Sequence, residues 1–146
     1  MDRIIRAIES AEAYGDRQHA VPDDQQINVA DAIGKAACDI AKQTNAAAIV
    51  TLTRSGGTAR LVAKYRPATP IIALSDNPDT LRALAFTWGV QGKLLPPLSD
   101  EHYHIDTIRD FLLGSGLLEA GSLAVFSSGS PLHLRGTTNM LEVRKV

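Results

Sequence analysis

Two segments of this sequence gather hydroxyls, a guanidinium and glycines at spacings suited to holding an anion. The first is Thr51-Leu52-Thr53-Arg54-Ser55-Gly56-Gly57-Thr58-Ala59. It leaves an apolar run and enters a helical pattern. Gly56 and Gly57 let backbone N–H groups approach a ligand closely, and the helix start offers unsatisfied donors and the positive end of its dipole. Thr53, Ser55 and Thr58 add short hydroxyl donors, and Arg54 can complete a phosphate clamp. The same residues also suit a plain tight turn whose hydroxyls cap the helix, and residue types alone leave the two readings level. The spacing is neither Gly-x-x-x-x-Gly-Lys-Ser/Thr nor Gly-x-Gly-x-x-Gly, so nucleotide hydrolysis is not supported.

The second segment, residues 127–139, also follows an apolar run. Ser128, Gly129, Ser130 and Arg135 can reach the same anion if the fold sets the two segments side by side. The bland reading is a long return to a last strand, with Gly136 serving geometry and Asn139 a turn. Other chemistry-bearing residues weigh less. His102 and His104 stand two apart and point to different sides of a helix, a poor metal pair. Cys38 reads as a small apolar filler, and Trp88 as core or interface. No nucleophile, base and acid can be read together, so no catalytic residue is expected; a stand-alone enzyme of phosphate chemistry would have to use His133.

The elements that must position these segments alternate strands with helices. Residues 1–14 carry Ile4, Ile5, Ile8 and Ala11 on one stripe of a short amphipathic helix, and residues 15–26 are polar and linker-like. The main domain spans 27–146, opening with a helix that starts at Asn28 and runs to about residue 45. Its periodicity places Val29, Ile33, Ala36, Ala37 and Ile40 inward and pairs Asp31 with Lys35 on the outer face. Continuous apolar runs at 46–52, 70–74 and 123–126 predict strands buried on both faces, with a shorter strand at 90–95. Helices are expected over 58–65, from Asn77 to about 88 with Leu81, Leu84 and Ala85 inward, and from 99–101 to Gly114. Residues 139–146 alternate less cleanly, as an edge strand does. Such alternation implies right-handed crossovers and a largely parallel sheet covered on both faces.

Composition agrees with a single domain and removes other classes. The chain has 146 residues, 45% hydrophobic and 21% charged, enough to bury a continuous core. A formal net charge of -1 argues against nucleic-acid binding by bulk charge. No apolar run approaches the ~20 residues of a membrane span, and residues 1–10 alternate charged and apolar types, unlike a signal peptide. One cysteine makes no internal disulfide. The expectation is a cytoplasmic protein with no nucleic-acid or membrane partner.

The motifs resemble a known family. The run from Ala48 through Ala59, then Val62-Ala63-Lys64-Tyr65-Arg66-Pro67, Pro70-Ile71-Ile72-Ala73, Trp88-Gly89-Val90, Gly121-Ser122-Leu123-Ala124-Val125 and Gly136-Thr137-Thr138-Asn139 together resemble the C-terminal domain of pyruvate kinase. Residues 1–11 look like the end of that family's catalytic barrel. The resemblance implies a three-layer α/β/α sandwich with a mostly parallel, five-stranded mixed sheet whose last strand is antiparallel. It implies an effector-binding and tetramer-forming domain of an enzyme that turns phosphoenolpyruvate and ADP into pyruvate and ATP. That enzyme uses Mg2+ and K+, in a barrel that does not lie within these residues, so the chain is expected to bind no cofactor and to be inactive alone. Carried over residue by residue, Thr53, Arg54, Ser55, Gly56, Gly57 and Thr58 hold an effector phosphate. The loop with Ser128, Gly129, Ser130, Arg135 and Gly136 closes over it. Arg54 stands where sugar-bisphosphate-regulated members often have lysine, and the late loop lacks an aromatic residue. Both departures turn the expectation from fructose 1,6-bisphosphate toward AMP, a sugar monophosphate or no effector. Expected partners are that effector, the parent enzyme's catalytic domain and further copies of the chain. The competing reading is an assembly domain with a vestigial loop.

Overall fold

Ala48-Ile49-Val50-Thr51-Leu52 offers only small, β-branched or aliphatic side chains, and all five are buried in strand β1 (Ala48–Leu52). The computed structural model describes residues 3, 4, 7, 28–96, 105–129 and 138–146. Strand β2 (Ile71–Ser75) is buried along its whole length as well. With β3 (Val90–Leu94), β4 (Leu123–Ser128) and β5 (Met140–Lys145) they form one sheet in the order β3-β2-β1-β4-β5. The first four strands are parallel, and β5 runs antiparallel to β4. Continuous burial belongs to the inner strands, while β3 at the edge is mostly exposed.

Side-chain alternation divides the core into two layers. Val50, Leu52, Ile72, Leu74 and Phe126 pack on one face with Ile108 and Leu112 of α4 (Ile105–Gly114). Ile49, Ile71 and Val125 pack on the other with Ala37, Cys38 and Ala41 of α1 (Val29–Thr44) and with Val62 and Ala63 of α2 (Gly57–Lys64). Leu84 of α3 (Pro78–Leu84) joins Ala59 and Ala73 on that second face. This is the α/β/α sandwich and mixed sheet that the motifs implied. None of the described helices is long and apolar enough to cross a membrane.

The buried face of α1 departs from the periodicity. The helix begins as expected, with the Asn28 side chain accepting from the Asp31 N–H at 2.8 Å. It buries Asp31, Gly34, Ala37, Cys38 and Ala41, however, and leaves Val29 67% exposed. Close approach decides the matter: a Cβ on Gly34 would lie 3.4 Å from the backbone of Leu61 on α2. Only small residues fit that seam. Asp31 consequently does not sit on the outer face with Lys35. It accepts from Lys64 Nζ on both carboxylate oxygens at 3.1 Å, tying the start of α1 to the end of α2.

α3 ends at Leu84, short of residue 88, and Ala85 is exposed rather than inward. Gly92 lets this helix lie on the edge strand, because a Cβ there would meet Leu81 Cδ2 at 3.0 Å. Trp88 is half-buried, with the Arg66 guanidinium 5.9 Å from its ring centroid. Of the N-terminal stripe only Ile4 is described, helical and 62% exposed. The 15–26 segment and the helix start expected at 99–101 lie outside the described residues.

Asp31→Ala should lower the unfolding free energy by about 1–2 kcal/mol, read from the urea midpoint at unchanged slope. A larger loss is not expected, because the Lys64 side chain is 45% exposed and can re-solvate.

Candidate functional site

The sheet order reverses between β1 and β4. From β1 the chain proceeds to β2 and β3 on one flank, while β4 lies on the other. The crevice beyond the carboxyl ends of such a pair is where open α/β sheets take ligands. Thr51 and Ser127 are register partners, so both candidate segments leave the sheet at this crevice.

The first loop is fixed by its own bonds. The Thr53 N–H still donates to the Leu74 carbonyl at 3.0 Å, and the Thr53 hydroxyl accepts from the Gly56 N–H at 2.8 Å. Two loop carbonyls are pinned as well: Arg54 O accepts from the Thr80 hydroxyl at 2.7 Å, and Ser55 O from Arg60 Nη1 at 3.1 Å. Gly56 then takes φ 83 as the N-cap of α2, with no side-chain capping bond. Among the described residues, the N–H groups of Gly57, Thr58 and Ala59 precede the first bond of the helix, which Arg60 N–H makes to Gly56 O. The plain-turn reading required a hydroxyl to cap this end. Thr53 instead serves the loop, and no side chain caps the first turn of α2, whose positive dipole end faces outward from the helix start.

The second segment meets the first at both of its described ends. Ser128 and Gly129 are buried where it leaves β4, and Thr138 is buried where it returns. The Thr138 and Thr58 hydroxyls are hydrogen-bonded at 2.8 Å, and the Asn139 N–H donates to Ser128 O at 3.1 Å. Thr58 thus belongs to the contact between segments. Ser130, Arg135, Gly136 and His133 lie outside the described residues, as do His102 and His104.

Three participants went unnoticed in the sequence. Asp76 holds a carboxylate oxygen 3.8 Å from Arg54 Nη2; Thr80 and Arg60 hold the loop carbonyls. For Asp76 and Thr80 the signal was topological: the turn after β2 must end at the same edge of a parallel sheet as the turn after β1. Beneath the crevice, the buried Thr51 and Ser127 hydroxyls have no hydrogen-bond partner among the described residues.

Nothing here builds a metal centre or a reactive thiol. Among the described residues no three His, Cys, Asp or Glu side chains gather in a way that could hold a metal ion, so they do not fit the Mg2+ implied for the parent enzyme. Burial, with a smaller contribution from Asp39, pushes the Cys38 thiol up to about 12, and its Sγ lies 3.7 Å from the Val62 carbonyl. It is therefore protonated at neutral pH and acts as core.

Comparison with known proteins gives the geometry a context. A family model described as "Pyruvate kinase, alpha/beta domain" matches residues 31–144. The pyruvate kinase of Geobacillus stearothermophilus is 36% identical over 146 residues, covering 100% of this chain and 25% of that protein. That of Clostridium acetobutylicum is 39% identical over 119 residues, covering 82% and 25%. A crystal structure of a pyruvate kinase from Cryptosporidium parvum is similar with a TM-score of 0.70 at 30% identity, over 83% of this chain and 23% of that one. The chain thus spans about a quarter of the length of these relatives.

The two glycines should respond differently to alanine. Gly56→Ala forces a positive φ on a side chain that would meet Arg60 Nη1 at 3.1 Å and Leu84 Cδ2 at 3.2 Å, and should cost about 1–2 kcal/mol in thermal unfolding. Gly57→Ala meets only Ser55 Oγ at 3.6 Å at the first helical position, and should be neutral or stabilising by about 0.5 kcal/mol.

Proposed function

This chain belongs to the pyruvate kinase family, matching its C-terminal α/β domain, and from that premise we propose that it is a regulatory module binding a phosphorylated metabolite at the β1/β4 crevice. One observation carries the reading. The Thr53–Gly56 loop is held at one amide and two carbonyls by bonds that no ligand supplies, and it carries the half-exposed Arg54 guanidinium and leads into the first-turn N–H groups of α2. Such an arrangement binds a phosphate without having to order the loop first. Ligands of this class are AMP or a sugar monophosphate.

On this reading the chain turns over no substrate itself. Phosphoryl transfer from phosphoenolpyruvate to ADP, with its Mg2+ and K+, belongs to the barrel of a longer enzyme in the cytoplasm. The effector regulates that enzyme by binding one state of a homo-oligomer better than another. A second reading, subunit assembly with a vestigial loop, draws on β5: an edge strand whose Met140 and Val143 are 43% and 39% exposed suits pairing with another copy.

Saturating AMP or a sugar monophosphate should raise the melting temperature by about 5–10 °C, the gain expected near a hundredfold excess over Kd. Arg54→Ala should remove most of that shift. A flat response to nucleotides and sugar phosphates alike, with a concentration-dependent dimer in sedimentation, would leave only the assembly reading.

A further inference from the structure

The turn after β2 forms a wall of the crevice whose charge has so far had no role. Leu52 and Leu74 are register partners, so this turn emerges beside the Thr53–Gly56 loop, and Thr80 of α3 is bonded to the Arg54 carbonyl. Asp76 sits on this wall with a side chain only 25% exposed, its carboxylate 3.8 Å from Arg54 Nη2. The local fold does not ask for it there. Asn77, not Asp76, caps α3 by accepting from the Asp79 N–H, and Asp79 itself pairs with Arg82. Arg60, the other guanidinium on this flank, is engaged with Ser55 O.

The two flanks therefore differ in kind. Toward β4, beside the bonded Thr58 and Thr138 hydroxyls, the crevice offers neutral donors, the first-turn N–H groups of α2. A single phosphate can be held there with the half-exposed Arg54 guanidinium reaching it from the β2 side. A second phosphate would have to lie farther out on the β2 flank and would meet the Asp76 carboxylate beside Arg54. Like charges about 4 Å apart repel by about 1 kcal/mol even with the full screening of bulk water, close to fivefold in affinity, and by more at a partly solvated site. Arg54 is also partly neutralised before any ligand arrives.

We propose that Asp76 is a specificity-determining residue of the crevice, admitting ligands with one phosphate and penalising those with two. This rests on the phosphate site proposed above. The test is calorimetric titration of the whole chain with two matched pairs, AMP against ADP and fructose 6-phosphate against fructose 1,6-bisphosphate. Each pair differs by one phosphate. Asp76→Asn should improve affinity for the two-phosphate member by about fivefold or more over its one-phosphate partner, and Asp76→Glu should keep the wild-type ratio. Asp76→Ser decides the matter should the Asn variant fail to fold. If one-phosphate ligands bind and the ratio is the same in all variants, the charge filter is wrong and the phosphate site stands. If the wild-type chain binds none of the four, both fall together.

Discussion

The parallel pairing of β1 with β4 is the interaction on which the rest of the molecule depends. Ile49 meets Val125 and Val50 meets Phe126 across it, placing one apolar row in each of the two cores. The same ladder, continued to Thr51 and Ser127, ends two chain segments at one edge although they lie far apart in sequence. A slip of one residue would exchange the two faces and send each apolar row into the opposite layer, against helices it does not match. The apolar layers thus fix the site's geometry before any polar group contributes.

What the polar groups add is rigidity in a loop that glycine would otherwise leave loose. Gly56 must adopt a backbone conformation that a side chain resists, and the unfolded chain is correspondingly freer there. Bonds from Thr53, Thr80 and Arg60 offset that freedom by fixing one amide and two carbonyls. Two of these anchors come from neighbouring helices, so the loop's shape reports on the packing of α2 and α3.

How much of this could be read from the sequence depended on whether the deciding contact was local. Buried strands are legible because a continuous apolar run has few other fates, and the Asn28 and Asn77 caps because capping spans only two or three residues. The buried face of α1 was misread because periodicity weighs hydrophobicity, whereas Gly34 answers to the backbone of Leu61 on another helix. Likewise the Thr53–Thr58 segment announced itself through its residue types. Asp76 and Thr80 did not, since each acquires its meaning from the register that sets β2 beside β1.

The strand order also sets a timetable for synthesis. As the chain leaves the ribosome, β1, β2 and β3 can assemble in sequence, yet one side of β1 has no neighbour until residues 123–128 emerge. Until then the nascent protein carries an unpaired apolar border at what will become its centre, the kind of border that invites aggregation. The crevice is complete only after that border closes, so its two lips come into register late in the folding of this domain.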